Sequence, residues 1–250
     1  MNTAVTALIV FACLIAAVLL GRGLRRVLPQ EHLSADSRDV IKLAIGLVAT
    51  MSALVLGLLV SSAKGAYDTE RSEVIQMAAK VAFLDRVLAV YGPEAAEARA
   101  HFHEVVKEAM QRMWPDRARH ADLSPSTQEA DIMYGAVQEL APHDEGQRKL
   151  KDQATTLAID LGQLRSLLVA QGVPSISTPM LIILVSWLAI IFLGFSALAP
   201  PNITPMLALI VSAIAVSGAI FLILELDQPF GGVIRISSEP MINALNQFGK

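Results

Sequence analysis

Three groupings of residues in this 250-residue sequence have types and spacings that could do chemistry. His101 and His103 flank Phe102, with Glu97 and Glu104 nearby, and these are metal-ligating side-chain types. Positions two apart point to different sides of a helix, so two solvated histidines on a helical surface is the better reading. The second grouping is the acidic stretch Leu224-Glu225-Leu226-Asp227-Gln228-Pro229-Phe230-Gly231-Gly232, which closes a long apolar run. Carboxylates at a membrane boundary are costly unless they pair, bind a cation or reach water. A helix end with Glu225 reaching to water and a structural or ligand-binding role fit equally well. The third grouping is Gly46, Thr50, Ala53, Gly57, Ser61, Lys64 and Asp68, spaced three or four apart and so confined to one helical face. Small residues at that spacing let helix backbones approach closely. The same face could instead wall a pore, with Thr50 and Ser61 toward water and Lys64 at the mouth.

Other chemistries find no support. The sequence has no GxGxxG and no GxxxxGK[ST] phosphate loop. No Ser–His–Asp or Cys–His grouping rises above chance spacing. Neither an enzyme, a cofactor nor a metal site is expected. The single Cys13 sits in an apolar run, which rules out an intrachain disulfide and a cysteine-cluster metal site. A formal net charge of −3 gives no electrostatic case for binding nucleic acid.

The elements that must carry these groups follow from how charge is distributed. Apolar residues make up 54% of the chain, charged ones 17%, and mean hydropathy is +0.51. A soluble domain carries about 25% charge. Residues 63–178 hold 13 of the 20 basic and 17 of the 23 acidic side chains. That split implies membrane segments around a polar insert. Runs 4–20, 40–60, 179–199 and 205–226 are each long enough to cross the roughly 30 Å of bilayer hydrocarbon. The first is read as an uncleaved anchor rather than a signal peptide. No basic residue precedes it, and Arg22, Arg25 and Arg26 follow it as a stop-transfer flank. Thr178-Pro179 and Thr204-Pro205 each suggest a hydroxyl cap before a first-turn proline. The turn 200–204 is short enough to force the last two spans into an antiparallel hairpin.

Arg22, Arg25, Arg26, Arg38 and Lys42 in the first loop place that loop in the cytoplasm by the positive-inside rule. The expected location is therefore the inner (plasma) membrane, multi-pass, with both termini and the insert extracytoplasmic.

The second span continues past the membrane without a strong breaker until Gly92-Pro93. Val74, Met77, Ala78, Val81, Leu84, Val87 and Leu88 recur on one helical face. One helix of about 50 residues is predicted, half in lipid and half beyond it. Three further helices are expected at 93–113, 125–140 and 144–171, and a short one after Ser237, Ser238 and Pro240. Interspersed charges along the insert suggest solvated faces. The fold class is all-α: a polytopic membrane protein with four transmembrane helices and a helical insert between the second and third. Its segments are 1–62, 63–178, 179–226 and 227–250.

This layout resembles the bestrophin-like family of bacterial membrane proteins. The specific part of the resemblance is Leu226-Asp227-Gln228-Pro229-Phe230-Gly231-Gly232-Val233-Ile234-Arg235-Ile236-Ser237, and Trp114-Pro115 within the insert is also similar. Family members usually carry arginine where this chain has Gln228. A more distant similarity links Gln228-Pro229-Phe230-Gly231 to the Asn-Pro-Phe-Gly run of bestrophins proper, which are pentameric anion channels lined by their second helix. The resemblance implies a homo-oligomer, pentameric by that analogy, embedded in a lipid bilayer. It marks Gly46, Thr50, Ala53, Gly57, Ser61 and Lys64 as pore-lining candidates, and Glu225, Asp227, Pro229, Phe230, Gly231 and Gly232 as the family exit motif. Gly232-Val233-Ile234-Arg235 replaces the acidic cluster that helps bestrophins bind calcium, and the second span has no aromatic residue for a pore neck. Bestrophins keep their insert cytoplasmic, opposite to the reading from the loop arginines, and for this chain the arginines are followed. The alternative function is a non-conducting membrane-anchored scaffold or sensor. Its insert, expressed from Tyr67 to Gln171, should then fold and bind a partner.

Overall fold

The computed structural model describes residues 3–27, 35–115, 134–171 and 176–248. Among these residues the chain is helical, without a strand. The helices are α1 (Thr3–Val27), α2 (Ala35–Tyr91), α3 (Ala96–Met113), α4 (Glu145–Gln171), α5 (Thr178–Leu198), α6 (Ile203–Leu226) and α7 (Glu239–Leu245). Helices α1, α2, α5 and α6 are long and apolar enough to cross a membrane. The helix expected at 125–140 falls largely outside the described residues, and 134–138 are helical. The chain divides into two compact units, Met1–Ala66 with Ser175–Asp227 and Tyr67–Pro174 with Gln228–Lys250.

In the first unit α1 packs against α5 and α6. Thr3, Thr6, Val10, Leu14, Ala17, Val18 and Gly21 are its buried face, recurring at helical spacing. Leu8, Ile9, Leu19 and Leu20 stay exposed on the other side, as lipid contact requires. Contact is closest where side chains are smallest. A Cβ on Gly21 would run into the Leu193 carbonyl oxygen and come within 3.0 Å of the Ser196 Cβ. Beside it, the Ser196 hydroxyl donates to the Val18 carbonyl at 2.6 Å. Gly194 likewise leaves room for the Ile45 side chain of α2. Lipid supplies no hydrophobic drive between helices, so small residues and shared hydroxyls hold them.

The hydroxyl caps read from sequence are displaced. Ser177 is the N-cap of α5 and Asn202 that of α6, and neither side chain makes a capping hydrogen bond. Pro200-Pro201 ends its turn early, with Asn202 extended, so α6 starts before Thr204. Pro205 then sits within the first turn, where a missing N–H costs nothing.

The second unit has its own core. Val74, Val81, Leu84 and Leu88 of α2 meet Phe102 and Val106 of α3 and Leu157, Leu161 and Leu168 of α4. Phe230, Ile236, Met241 and Ala244 from the C-terminal segment complete it. Part of the core around the insert from Tyr67 to Gln171 is thus supplied by the C-terminal segment. α2 itself is one 57-residue helix, and the boundary between units falls within it. Gly65 does not interrupt it. Gly92, at φ 121°, turns the chain into a single 3₁₀ turn at Pro93–Ala95.

Candidate functional site

Gly46, Thr50, Ala53, Gly57, Ser61, Lys64 and Asp68 are all exposed on α2. The face that α2 buries within its unit is a different one, carrying Ile45, Ser52, Leu59 and Ala63. A Cβ added at Gly46 or Gly57 would meet nothing within 4 Å. Close packing inside one copy of the chain is therefore not what the small residues serve. The Thr50 hydroxyl donates to the Gly46 carbonyl at 2.8 Å, which turns its methyl and its remaining lone pairs outward. Leu43, Leu47, Leu54 and Leu58 stand beside this face, also exposed. Only 17% of the apolar stretch of α2 is buried, against 33% for α1 and α5, so α2 is the least covered of these three.

Glu225 and Asp227 of the exit motif belong to the first unit, and Pro229, Phe230, Gly231 and Gly232 to the second. Glu225 is buried at 1% exposure, and its carboxylate accepts a hydrogen bond from the Thr3 hydroxyl. The reading in which Glu225 reaches out to water is thus overturned. Burying α1 against α6 covers the carboxyl, and Thr3 supplies the donor that burial demands. Asp227 caps α6, its N–H donating to the Ile223 carbonyl at 3.1 Å.

Beyond it the segment folds on itself in the second unit. The Gly231 N–H donates to the Gln228 carbonyl at 3.0 Å, and the Ile236 N–H to the Pro229 carbonyl at 2.8 Å. Gly232 takes φ 66°, a left-handed turn that suits glycine, and its carbonyl accepts from Arg235 Nε at 3.0 Å. Pro229 and Phe230 are buried, Gly231 is half-buried and Gly232 exposed. Trp114 sits edge-on to Phe230, with ring centroids 6.0 Å apart, and its indole N–H donates to the Ile236 carbonyl at 2.8 Å. The tryptophan of the insert and the exit motif are one packed cluster.

The histidines are not a matched pair. His101 is exposed, 3.9 Å from Glu97. His103 instead stacks on Phe248, centroids 4.1 Å apart and planes 7° from parallel, and its Nε2 lies 2.7 Å from Asp85 Oδ1. Asp85 is buried and also accepts from Arg99 Nε and Nη2, at 2.6 and 2.7 Å. Burial pushes the Asp85 carboxyl up, but the bonds from Arg99 and His103 outweigh it and hold the group below the ordinary carboxylate range. His101 is exposed as expected, whereas the expectation of a solvated residue is corrected for His103, half-buried against Asp85 and Phe248. A signal was present in the sequence: Asp85 lies four residues after Val81 and three before Leu88, on the apolar face of α2. Among the described residues no three His, Cys, Asp or Glu side chains converge as a metal site.

A family model for the bestrophin-like domain matches residues 12–241. The chain belongs to the bestrophin-like family. Searches of curated proteins and of solved structures return no match. This bestrophin-like protein is a multi-pass membrane protein, with four helices of spanning length inside or overlapping the matched region.

Proposed function

We propose that this bestrophin-like protein is a homo-oligomeric anion channel in which α2 of each copy faces a central axis. The observation that carries this reading is the small-residue face of α2, which stays exposed among the described residues. One four-helix subunit has no room for an aqueous pore, so the face acquires a role only when copies close a ring. Gly46, Ala53 and Gly57 leave space along that axis, Thr50 and Ser61 offer hydroxyls, and Lys64 brings positive charge to one end. The basic first loop places its own end in the cytoplasm and the insert outside.

The test is the particle mass of the protein in a lipid disc, followed by halide flux in liposomes. A ring of about five subunits with saturable flux supports the channel. A monomer or dimer overturns it. Orientation is read separately. A Lys149→Cys variant in a Cys13→Ser background should react with an impermeant maleimide on intact cells, and protection from it would put the insert inside.

A second reading, a non-conducting scaffold or sensor, rests on the insert. Ile75, Phe83 and Val90 are exposed along one side of α2 beyond the apolar span, a surface suited to a protein partner. Loss of a co-purifying partner in Phe83→Ser, with no flux in the wild type, would favour it.

A further inference from the structure

We propose that a cavity at the C-terminal end of α1 binds the phosphate of an anionic phospholipid. The cavity, of about 170 Å³, is lined by Arg22, Arg25 and Arg26 together with Pro200, Asn202 and Met206. Apolar cavities of about 150 Å³ already accept a benzene-sized guest, so a phosphate group fits. The positive-inside rule accounts for basic residues near this end of the span, but not for their convergence on one cavity.

Among the described residues, Arg22 and Arg25 each have a guanidinium nitrogen without a good acceptor. Arg25 Nη1 is buried with no hydrogen-bond partner among the described residues. Arg22 Nη1 donates to the thioether sulfur of Met206 at 3.2 Å, a weak acceptor for a charged donor. Buried donors in this condition carry an unmet cost, and a phosphate presents oxygens that match the guanidinium fork two at a time. The first turn of α6 opens on the same cavity. Its N-cap, Asn202, makes no side-chain cap bond, so the leading backbone N–H groups and the positive helix end add to the attraction.

A second, mostly apolar cavity of about 360 Å³ shares Ala199, Pro205 and Leu209 with the first, and Phe195, Leu198 and Ala208 extend its wall. Charge beside hydrocarbon at the end of membrane helices is the arrangement of a lipid headgroup next to its own acyl chain. That juxtaposition favours a phospholipid over free phosphate. The inference does not depend on conduction.

The test uses the full chain purified in a zwitterionic detergent and titrated with a fluorescent short-chain phosphatidylglycerol. Binding should saturate, and Arg25→Gln should weaken it about tenfold or more, the scale of a lost charged hydrogen bond. Arg26→Gln, at an exposed and structurally undemanding position, should weaken it as well. Arg38→Gln, the same change of charge at the exposed start of α2, should leave binding nearly unchanged. If Arg38→Gln weakens binding as much as Arg25→Gln, or if neither pocket variant weakens it, only diffuse charge attracts the lipid and the site is overturned. Displacement of the lipid by an equal concentration of inorganic phosphate would overturn the lipid assignment in favour of free phosphate.

Discussion

The hydroxyl of Thr3, at the start of α1, donates to the carboxylate of Glu225, 222 positions later at the end of α6. Both groups are buried. At the opposite end of the same helices Arg22 reaches Met206. α1 and α6 are therefore tied at both ends and run antiparallel.

Removing the Thr3 hydroxyl takes one hydrogen bond away from the buried Glu225 carboxylate. Thr3→Val should cost about 1–3 kcal/mol of unfolding free energy in detergent. Glu225→Gln should also destabilise. The double variant should fall short of the sum of the two singles, with a coupling above about 0.5 kcal/mol. Strict additivity would show that the contact contributes nothing.

Two glycines in neighbouring helices make opposite demands. Gly21 has no room for a Cβ, because the Leu193 carbonyl occupies that space. Gly57 has open space on every side within one copy. Gly21→Ala should cost about 1–3 kcal/mol, as overpacking does. Gly57→Ala should be neutral or slightly stabilising, since alanine is the better helix former. Thermal unfolding of the two variants in the same detergent decides the matter. Equal destabilisation would reassign Gly57 to helix packing.

The Asp85 carboxyl, held low by Arg99 and His103 against the cost of burial, makes the second unit sensitive to acid. An unfolded aspartate titrates near pH 3.9. A carboxyl depressed in the folded state adds stability that is complete above that value and disappears as pH falls through the lower folded one. Melting of the second unit should thus hold steady down to about pH 4 and drop below it. The Trp114 signal, read in a Trp187→Phe background, reports on this unit. Asp85→Asn should melt lower at neutral pH and show a shallower decline in acid. An unchanged acid limb in that variant would remove Asp85 from the account.

The spans, the long second helix and the all-α class were legible because each follows from local pattern. Hydropathy marks the spans, and the spacing of Val74, Val81 and Leu88 marks one continuous face. Long-range partners were not legible. Nothing in the sequence around Glu225 points to Thr3, since α1 meets α6 only through tertiary packing. Trp114 and Phe230 were each noticed as similar to family positions, yet their contact depends on a C-terminal segment that returns to the insert's core. The sequence around His103 reads as a solvated surface because its partners, Asp85 and Phe248, lie 18 and 145 positions away. Asn202 displaced Thr204 as a cap because the Pro200-Pro201 turn ended sooner than its composition suggests.

The small-residue face of α2 yields the prediction that separates a pore from a lipid-facing surface. Leu58 lies about 80–100° round α2 from Thr50 and Gly57, and all three are exposed on a single copy. If copies close around the small face, a large side chain there fills the axis, while one on the leucine side meets lipid or a neighbouring helix. Thr50→Trp and Gly57→Phe should bring halide flux down to that of empty liposomes, with the ring mass retained. Leu58→Trp, which ends with an equally bulky side chain away from that face, should leave flux near the wild-type rate. Retained ring mass matters here, because loss of assembly would abolish flux for a different reason. The reverse pattern, with Leu58→Trp blocked and Thr50→Trp conducting, would turn α2 around its axis and place Leu58 on the pore. Wild-type flux in all three variants would leave α2 outside the conduction path.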